Sequence, residues 1–225
     1  MAMPYYVSPE QMMQDKAEYA KKGIARAKST VVMEYDSGIL FLADNASSLN
    51  KISEVYDKIA FAAAGKYSEF ENLRKAGIRH ADMKGYLYSR QDVNARSLAN
   101  AYSQTLGTIF SQEAKPLEVE ILVVELGETT EKNEIYRIQF DGSIFDEKSF
   151  TVVGGKAEPL YEALKTKYQL THLKAAIKIC VESMEESSQQ KIPPQSLEVA
   201  LLDRNRIDRQ FRRLSADELI AALGT

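Results

Sequence analysis

Three residues near the beginning of the chain have side chains whose types and order could support hydrolytic chemistry. Ser29 stands directly before an apolar run, Asp44 follows the next one, and Lys51 comes seven residues later. A hydroxyl at the start of a chain can act as a nucleophile because its own free α-amine serves as the base. With residues 1–28 attached, the nitrogen of Ser29 is a peptide nitrogen and cannot accept a proton. We therefore expect this arrangement to be inactive in the intact chain.

The sequence pattern of the leader, residues 1–28, predicts a short stub followed by a helix. Ser8 is the expected N-cap, Pro9 the first helical residue, and Gln11 the residue that completes a capping box. Apolar side chains then recur at helical spacing at Met13, Ala17, Ala20 and Ile24. This pattern favours a packed helix over a disordered tail.

Apolar runs and turn signals predict a strand-rich chain interrupted by pairs of helices. Strands are predicted over 30–35, 39–43, 57–64, 119–126, 134–140, 150–153, 197–202 and 209–214. Helices are predicted from a capping box at 68–71, over 92–110, 158–168 and 173–184, and after a cap at Ser215. Residues 185–195 read as a polar linker. This order suggests two stacked, largely antiparallel sheets with helices on both outer faces.

The composition limits the classes of protein that this chain can represent. Its 225 residues are 44% hydrophobic, carry a net charge of −3 and include one cysteine, Cys180. A core can form without disulfides, and no basic field would recruit nucleic acid. The sequence begins without the pattern of a secretory signal, and no apolar run approaches the ~18 residues of a membrane helix. We expect a cytoplasmic protein that binds neither nucleic acid nor membrane.

Several short segments, taken in their order and spacing, resemble one known family. They are 5–11 (YYVSPEQ), 22–29 (KGIARAKS), 51–65, 141–143 (DGS) and 154–155 (GG). Over essentially its whole length the chain resembles proteasome α-type subunits, most closely the actinobacterial kind. The resemblance implies a four-layer αββα sandwich of the N-terminal-nucleophile hydrolase type, an α+β fold. It implies one domain over 1–225, made of a stub (1–7), a leader helix (8–28) and the sandwich (29–225).

The resemblance implies that Ser29, Asp44 and Lys51 are vestigial catalytic positions. They fall at or next to the nucleophile, the Asp and the Lys of catalytic β-type subunits. The family's processing junction is Gly-Thr, whereas Lys28 precedes Ser29 here. We therefore expect no catalytic residues in this chain. The alternative is a self-processing peptidase in which cleavage exposes Ser29 as the nucleophile.

The resemblance implies two further sites. In α-type subunits a lysine and a glycine line a pocket between neighbouring subunits that receives the C-terminal carboxylate of an activator. The matching residues are Lys51 and Gly65, with Lys66 adjacent. The aromatic stub would act as a gate on the ring axis. The gate residues would be Pro4, Tyr5, Tyr6, Val7, Ser8 and Pro9.

The partners follow from the same resemblance. We expect a homo-heptameric ring that caps a proteasome β-subunit ring, docks an ATPase ring and admits substrates tagged by a prokaryotic ubiquitin-like protein. No cofactor or metal is expected, because His80 and His172 have no Cys or carboxylate cluster at ligand spacing. A stand-alone binding module with this fold is the third possibility.

Overall fold

The computed structural model describes residues 8–207 and 209–224, which form helices and strands in the alternating groups that the sequence predicts. The helices are α1 (Pro9–Ala25), α2 (Tyr67–Leu87), α3 (Ala95–Gln112), α4 (Ala157–Lys167), α5 (Leu173–Ser188) and α6 (Ala216–Leu223). The strands are β1 (Thr30–Tyr35), β2 (Gly38–Asp44), β3 (Ile52–Tyr56), β4 (Ile59–Gly65), β5 (Val119–Glu125), β6 (Glu134–Ile138), β7 (Ile144–Glu147), β8 (Phe150–Val153), β9 (Leu197–Asp203) and β10 (Phe211–Arg213).

The strands form two five-stranded sheets that are antiparallel throughout. One sheet has the order β10-β9-β2-β1-β8 and the other the order β3-β4-β5-β6-β7. The predicted strand over 57–64 is wrong at its start, because Asp57 and Lys58 form the turn of a hairpin between β3 and β4. Neither β3 nor β7 was predicted, and both lie at the edge of their sheet.

Three apolar layers lie within the sandwich. One fills the space between the two sheets, and each of the others lies between a sheet and the helices that cover it. On β4, Ile59 and Phe61 pack towards α2 and α3, whereas Ala60 and Ala62 pack towards the other sheet. A separate cluster joins the β2 side chain Leu40 to α4 and α5. Strands with both faces buried read as continuous apolar runs. The architecture is the expected αββα sandwich.

The leader helix α1 packs on the sandwich and is capped as predicted. The Ser8 side chain accepts a hydrogen bond from the Gln11 backbone N–H, but the Gln11 side chain donates to Asp15 instead of completing a capping box. Lys16 is buried and donates to the Phe110 carbonyl at 3.1 Å, at the C-terminal end of α3 where a cation is favourable. Met13, predicted on the apolar face, is exposed.

Two other predicted helix boundaries are wrong. The N-cap of α2 is Lys66 rather than Ser68, and Glu71, which would close the predicted capping box, pairs with Arg74 at 2.7 Å instead. The Glu69 carboxylate accepts from the Glu118 backbone N–H at 2.7 Å. Helix α5 continues to Ser188, over the first part of the predicted linker. The final helix has the capping box that its sequence predicts.

The sandwich has two opposite ends, the leader end and the distal end. At the leader end, α1 joins β1, β3 begins beside Lys51, and β2 and β4 terminate. At the distal end lie the turn between β1 and β2 (36–37) and the turn between β3 and β4 (57–58). Because α2 starts directly after β4 and has 21 residues, it runs from the leader end to the distal end.

Candidate functional site

Lys51 lies at the leader end, between the two sheets, with its amine bound to backbone atoms. Its Nζ donates to the carbonyl oxygens of Lys28 and Asp44, each at 3.0 Å. These carbonyls belong to the residue before Ser29 and to the last residue of β2. The structure therefore places the Lys51 amine against the backbone of Asp44.

Lys28, rather than Ser29, faces this pair. The Lys28 side chain forms an ion pair with Asp44 at 2.8 Å, and the Asp44 carboxylate is largely buried. The Ser29 hydroxyl donates to the Gly155 carbonyl. In the described structure, neither the hydroxyl of Ser29 nor its peptide nitrogen has Lys51 as a hydrogen-bond partner.

Gly154 and Gly155 directly follow β8 and pack against the backbone of the segment before β1. The Gly155 N–H donates to the Ala27 carbonyl at 2.8 Å. A Cβ on Gly155 would lie 2.5 Å from the Ala25 oxygen and 2.6 Å from the Ala27 oxygen. Gly154 has a φ of +102°, which favours glycine. The leader is thus fastened to the sandwich by backbone contacts that a larger residue would disturb.

Glu198 on β9 supports Lys51 and was missed by the sequence analysis. Its carboxylate accepts from the backbone N–H groups of Lys51 (2.8 Å) and Ile52 (3.1 Å), and it pairs with Arg213 at 2.5 Å. The side chain therefore ties the start of β3 to the opposite sheet. A carboxylate within the apolar run of β9 is the signal that could have identified it.

Burial lowers the pKa of the Lys51 amine to about 8. The nearby carboxylates of Asp44 and Glu198 oppose this change by favouring the charged form, and Lys28 adds to it by repulsion. Since an amine with a pKa near 8 is mostly protonated at neutral pH, Lys51 remains a cation there. A partly desolvated cation of this kind is suited to bind a carboxylate.

Gly65 and Lys66 lie where β4 ends, at the same end of the sandwich as Lys51. Gly65 has a φ of +121°, and a Cβ there would lie 2.0 Å from the Glu118 carbonyl oxygen. The exposed side chain of Lys66 pairs with Glu69 at 3.5 Å. The Ala63 N–H donates to the Lys51 carbonyl, which fixes the relation between the two strands. Lys51 and Gly65 therefore lie at the same end of the β3–β4 hairpin.

The predicted gate falls mostly outside the described residues. Pro4, Tyr5, Tyr6 and Val7 belong to that part, whereas Ser8 and Pro9 begin α1. The leader end also contains a cavity of about 210 Å³. Lys28, Ser29 and Asp44 line one side of it, and residues of α4 and α5 line the other.

Other candidate sites are few within the part of the chain that the structure describes. There, no group of three or more His, Cys, Asp or Glu side chains could hold a metal ion. Cys180 is fully buried in the apolar layer against α5, and burial raises the pKa of its thiol. No described helix is long and apolar enough to cross a membrane.

The fold and this site define an αββα sandwich of the N-terminal-nucleophile hydrolase type. The family model described as "Proteasome subunit" matches residues 24–202, most of the chain, so the chain belongs to the proteasome subunit family. Such a subunit assembles into a proteasome complex, which is a protease.

Relatives named "Proteasome subunit alpha" define the branch, which is that of the actinobacterial α-type subunits. The protein of Thermomonospora curvata is 55% identical over 227 residues, covering 98% of this chain and 99% of the relative. That of Thermobifida fusca is 52% identical, covering 99% of this chain and 91% of the relative. That of Sanguibacter keddieii is 53% identical, with coverages of 99% and 91%.

Proposed function

We propose that this chain is the non-catalytic α-type subunit of a bacterial 20S proteasome core. The observation that supports this function is the state of the leader end. In the uncut chain, the carbonyl of the Lys28–Ser29 peptide accepts a hydrogen bond from Lys51, and the Ser29 hydroxyl donates to the Gly155 carbonyl. Without a free α-amine the hydroxyl has no base, so a resident hydrolase activity is not expected.

Seven copies would form an outer ring that templates and caps a ring of β-type subunits. A closed ring needs head-to-tail contacts between two different surfaces of the same chain. The leader helix α1 offers one such surface, because Met12 and Tyr19 on its outer side are about half exposed. Electron microscopy of the chain mixed with a β-type partner tests this assembly. Seven-fold stacked cylinders are expected, and a monomeric chain that binds no partner would contradict it.

The pocket at Lys51, Gly65 and Lys66 would receive the C-terminal carboxylate of an activating ATPase ring. Lys51 has three N–H donors, and two of them reach protein carbonyls. The third can bind a carboxylate without breaking a contact within the chain. A single contact of this type contributes roughly 1.5–3 kcal/mol, and a ring of seven pockets gains avidity.

Residues 4–9 would gate the entry of substrates tagged by a prokaryotic ubiquitin-like protein. The capped helix α1, which packs on the sandwich through Lys16, Ala20 and Ile24, supports this proposal, because a gate needs a rigid base from which the stub can extend. The alternative, a peptidase that begins at Ser29, requires release of α1 from the sandwich. The mass of the chain within an assembled particle distinguishes the two functions.

A further inference from the structure

A small cavity lies between helices α2 and α3, near the middle of both. Its volume is about 210 Å³, and each helix contributes residues to its walls. Leu73 and Leu98, which are buried, form apolar walls, and the exposed His80 stands at the opening. The cavity therefore reaches from the protein surface into the apolar layer beneath the two helices. We call it the helix cavity.

Small residues on the facing sides of the two helices leave this space open. Helices that pack side by side usually fill the gap between them with interdigitated side chains. Here Ala76 and Gly77 on α2 face Ala101 on α3 across the cavity. A Cβ at position 77 would overlap the hydroxyl of Tyr102, the next residue on α3. Gly77 thus makes room for this hydroxyl at the cavity wall.

The hydroxyl of Tyr102 is buried beside the cavity without a partner. The side chain is only 4% exposed, and its oxygen has no hydrogen-bond partner among the residues that the structure describes. Buried polar groups normally have a partner, because an unpaired one is unfavourable. Burial raises the pKa of the phenol, so it stays a neutral O–H donor at physiological pH. An acceptor atom inside the cavity would satisfy it.

We propose that the helix cavity binds a small, mainly apolar molecule that carries a carbonyl oxygen. A dry apolar cavity of about 150 Å³ holds benzene, whereas pockets for drug-sized ligands begin at about 300 Å³. The helix cavity lies between these sizes, so it admits one ring with a short polar substituent. Leu73 and Leu98 would pack on the ring, and the Tyr102 hydroxyl would donate to the carbonyl oxygen.

The opening of the cavity provides polar groups for the part of the ligand that points to water. The Thr105 hydroxyl donates to the Ala101 carbonyl at 2.9 Å and keeps its lone pairs as acceptors. The His80 imidazole can accept or donate, depending on its tautomer. An amide N–H directed outwards would find an acceptor there. A carboxamide on an aromatic ring is therefore the substituent that fits best.

The surroundings of the opening favour a small molecule over a protein partner. The exposed residues that adjoin the lining residues in sequence are polar or charged. They are Asn72, Lys75, Arg79 and Gln104. The centre of a protein interface is depleted in charged residues, and a protein that covered this opening would have to desolvate the lysine and the arginine. A molecule that enters the cavity leaves them in water.

The test uses two probes of the same ring size, benzamide and toluene, on the full chain. Only benzamide has a carbonyl oxygen. Because the cavity lies within one chain, no partner is needed. Both probes should bind saturably in titrations followed by saturation-transfer NMR. Dissociation constants on the order of 1 mM are expected for ligands of about ten heavy atoms.

Two variants separate the hydroxyl from the space. Tyr102→Phe should bind toluene like the wild type and benzamide about three- to tenfold more weakly, because it lacks one hydrogen bond. Its unfolding temperature should not fall, since the hydroxyl has no partner to lose. Ala101→Leu fills the cavity and should bind neither probe. Ala163→Leu, at another half-buried helical alanine, is the matched control and should bind both.

Several outcomes would overturn the proposal. They are absence of saturable benzamide binding to the wild type, full binding by Ala101→Leu, and equal weakening of both probes by Tyr102→Phe. A crystal structure in which an ordered water binds the Tyr102 hydroxyl and benzamide does not displace it would do the same. If Ala101→Leu does not fold, Ala76→Leu fills the cavity from its exposed side and takes its place in the titrations.

Discussion

Lys51 is held by its neighbours through both its side chain and its backbone. Two backbone carbonyls hold its amine, and the Glu198 carboxylate holds its backbone N–H. The sequence grouped Lys51 with Asp44 only through the family resemblance, because β3, the strand that follows Lys51, was not predicted. It could not predict that Lys28 would face them while Ser29 turned to Gly155, since that depends on how β8 ends beside the leader.

Replacing Lys51 tests the pocket at the level of a single side chain. Lys51→Ala should assemble with a β-type partner and retain basal peptide hydrolysis, because Glu198 still holds the start of β3. It should lose stimulation by the ATPase ring, since the carboxylate loses a charge-assisted contact of roughly 1.5–3 kcal/mol in each pocket. Peptide hydrolysis with and without the ATPase measures both effects. Lys174→Ala, an exposed lysine on α5, is the control, and surviving stimulation in Lys51→Ala would show that the lysine is wrongly chosen.

The lowered pKa of Lys51 predicts a pH dependence of activator binding. The ammonium form binds the carboxylate, and it is lost as the pH rises through about 8. The affinity of a labelled activator-tail peptide for assembled α-rings should therefore fall about tenfold between about pH 7 and about pH 9. Fluorescence anisotropy across this range measures the dissociation constant. Lys51→Ala should give a weak and flat profile, and a flat profile in the wild type would contradict the assignment.

At the scale of elements, the sequence predicts the strands that read as apolar runs and misses two edge strands. β1, β2, β5 and β8 read as continuous apolar runs and were found. The edge strands β3 and β7 have mixed patterns of burial and were missed. Capping patterns gave the correct N-cap at Ser8, but side chains such as that of Glu69 bind to distant backbone, which local sequence does not reveal.

The fastening of the leader to the end of β8 predicts a stability difference between two glycine substitutions. Gly155→Ala should lower the free energy of unfolding by about 1–3 kcal/mol, because its Cβ would press on backbone oxygens. Gly107→Ala, on α3, meets no atom closer than 3.5 Å and should raise it by about 0.5–1 kcal/mol through helix propensity.

Urea denaturation at one protein concentration measures both variants. If the free energy of unfolding of Gly155→Ala lay within about 0.5 kcal/mol of the wild-type value, the segment before β1 could move away from the new methyl group. That result would contradict the close packing of Gly155 against this segment.

At the scale of the whole molecule, the two ends of the sandwich have different surfaces. Lys51 and the start of the sandwich after α1 lie at the leader end, whereas the described large apolar side chains that are more than half exposed, such as Tyr86 and Ile207, lie at the distal end. The sequence predicted the layered fold and its family resemblance. It could not predict this separation, because exposure of Tyr86 or Ile207 depends on how helices and loops from distant parts of the chain come together.

Removing the gate should change the assembled particle and leave the subunit intact. Deletion of residues 2–7 spares α1, so rings and cylinders should form as before. Basal hydrolysis of an unfolded protein substrate should rise several-fold, whereas hydrolysis of a short peptide should change less because it already passes the pore. Gel assays of protein degradation without the ATPase measure the difference. Unchanged degradation would place the barrier elsewhere.

The most direct test of the central claim is the intact mass of this chain after isolation from assembled cylinders. If the chain is a non-catalytic subunit whose leader is a working part, its mass should be that of the sequence with the peptide between Lys28 and Ser29 uncut. A chain that begins at Ser29 would contradict the account, because cleavage there would free the α-amine that a hydroxyl nucleophile needs.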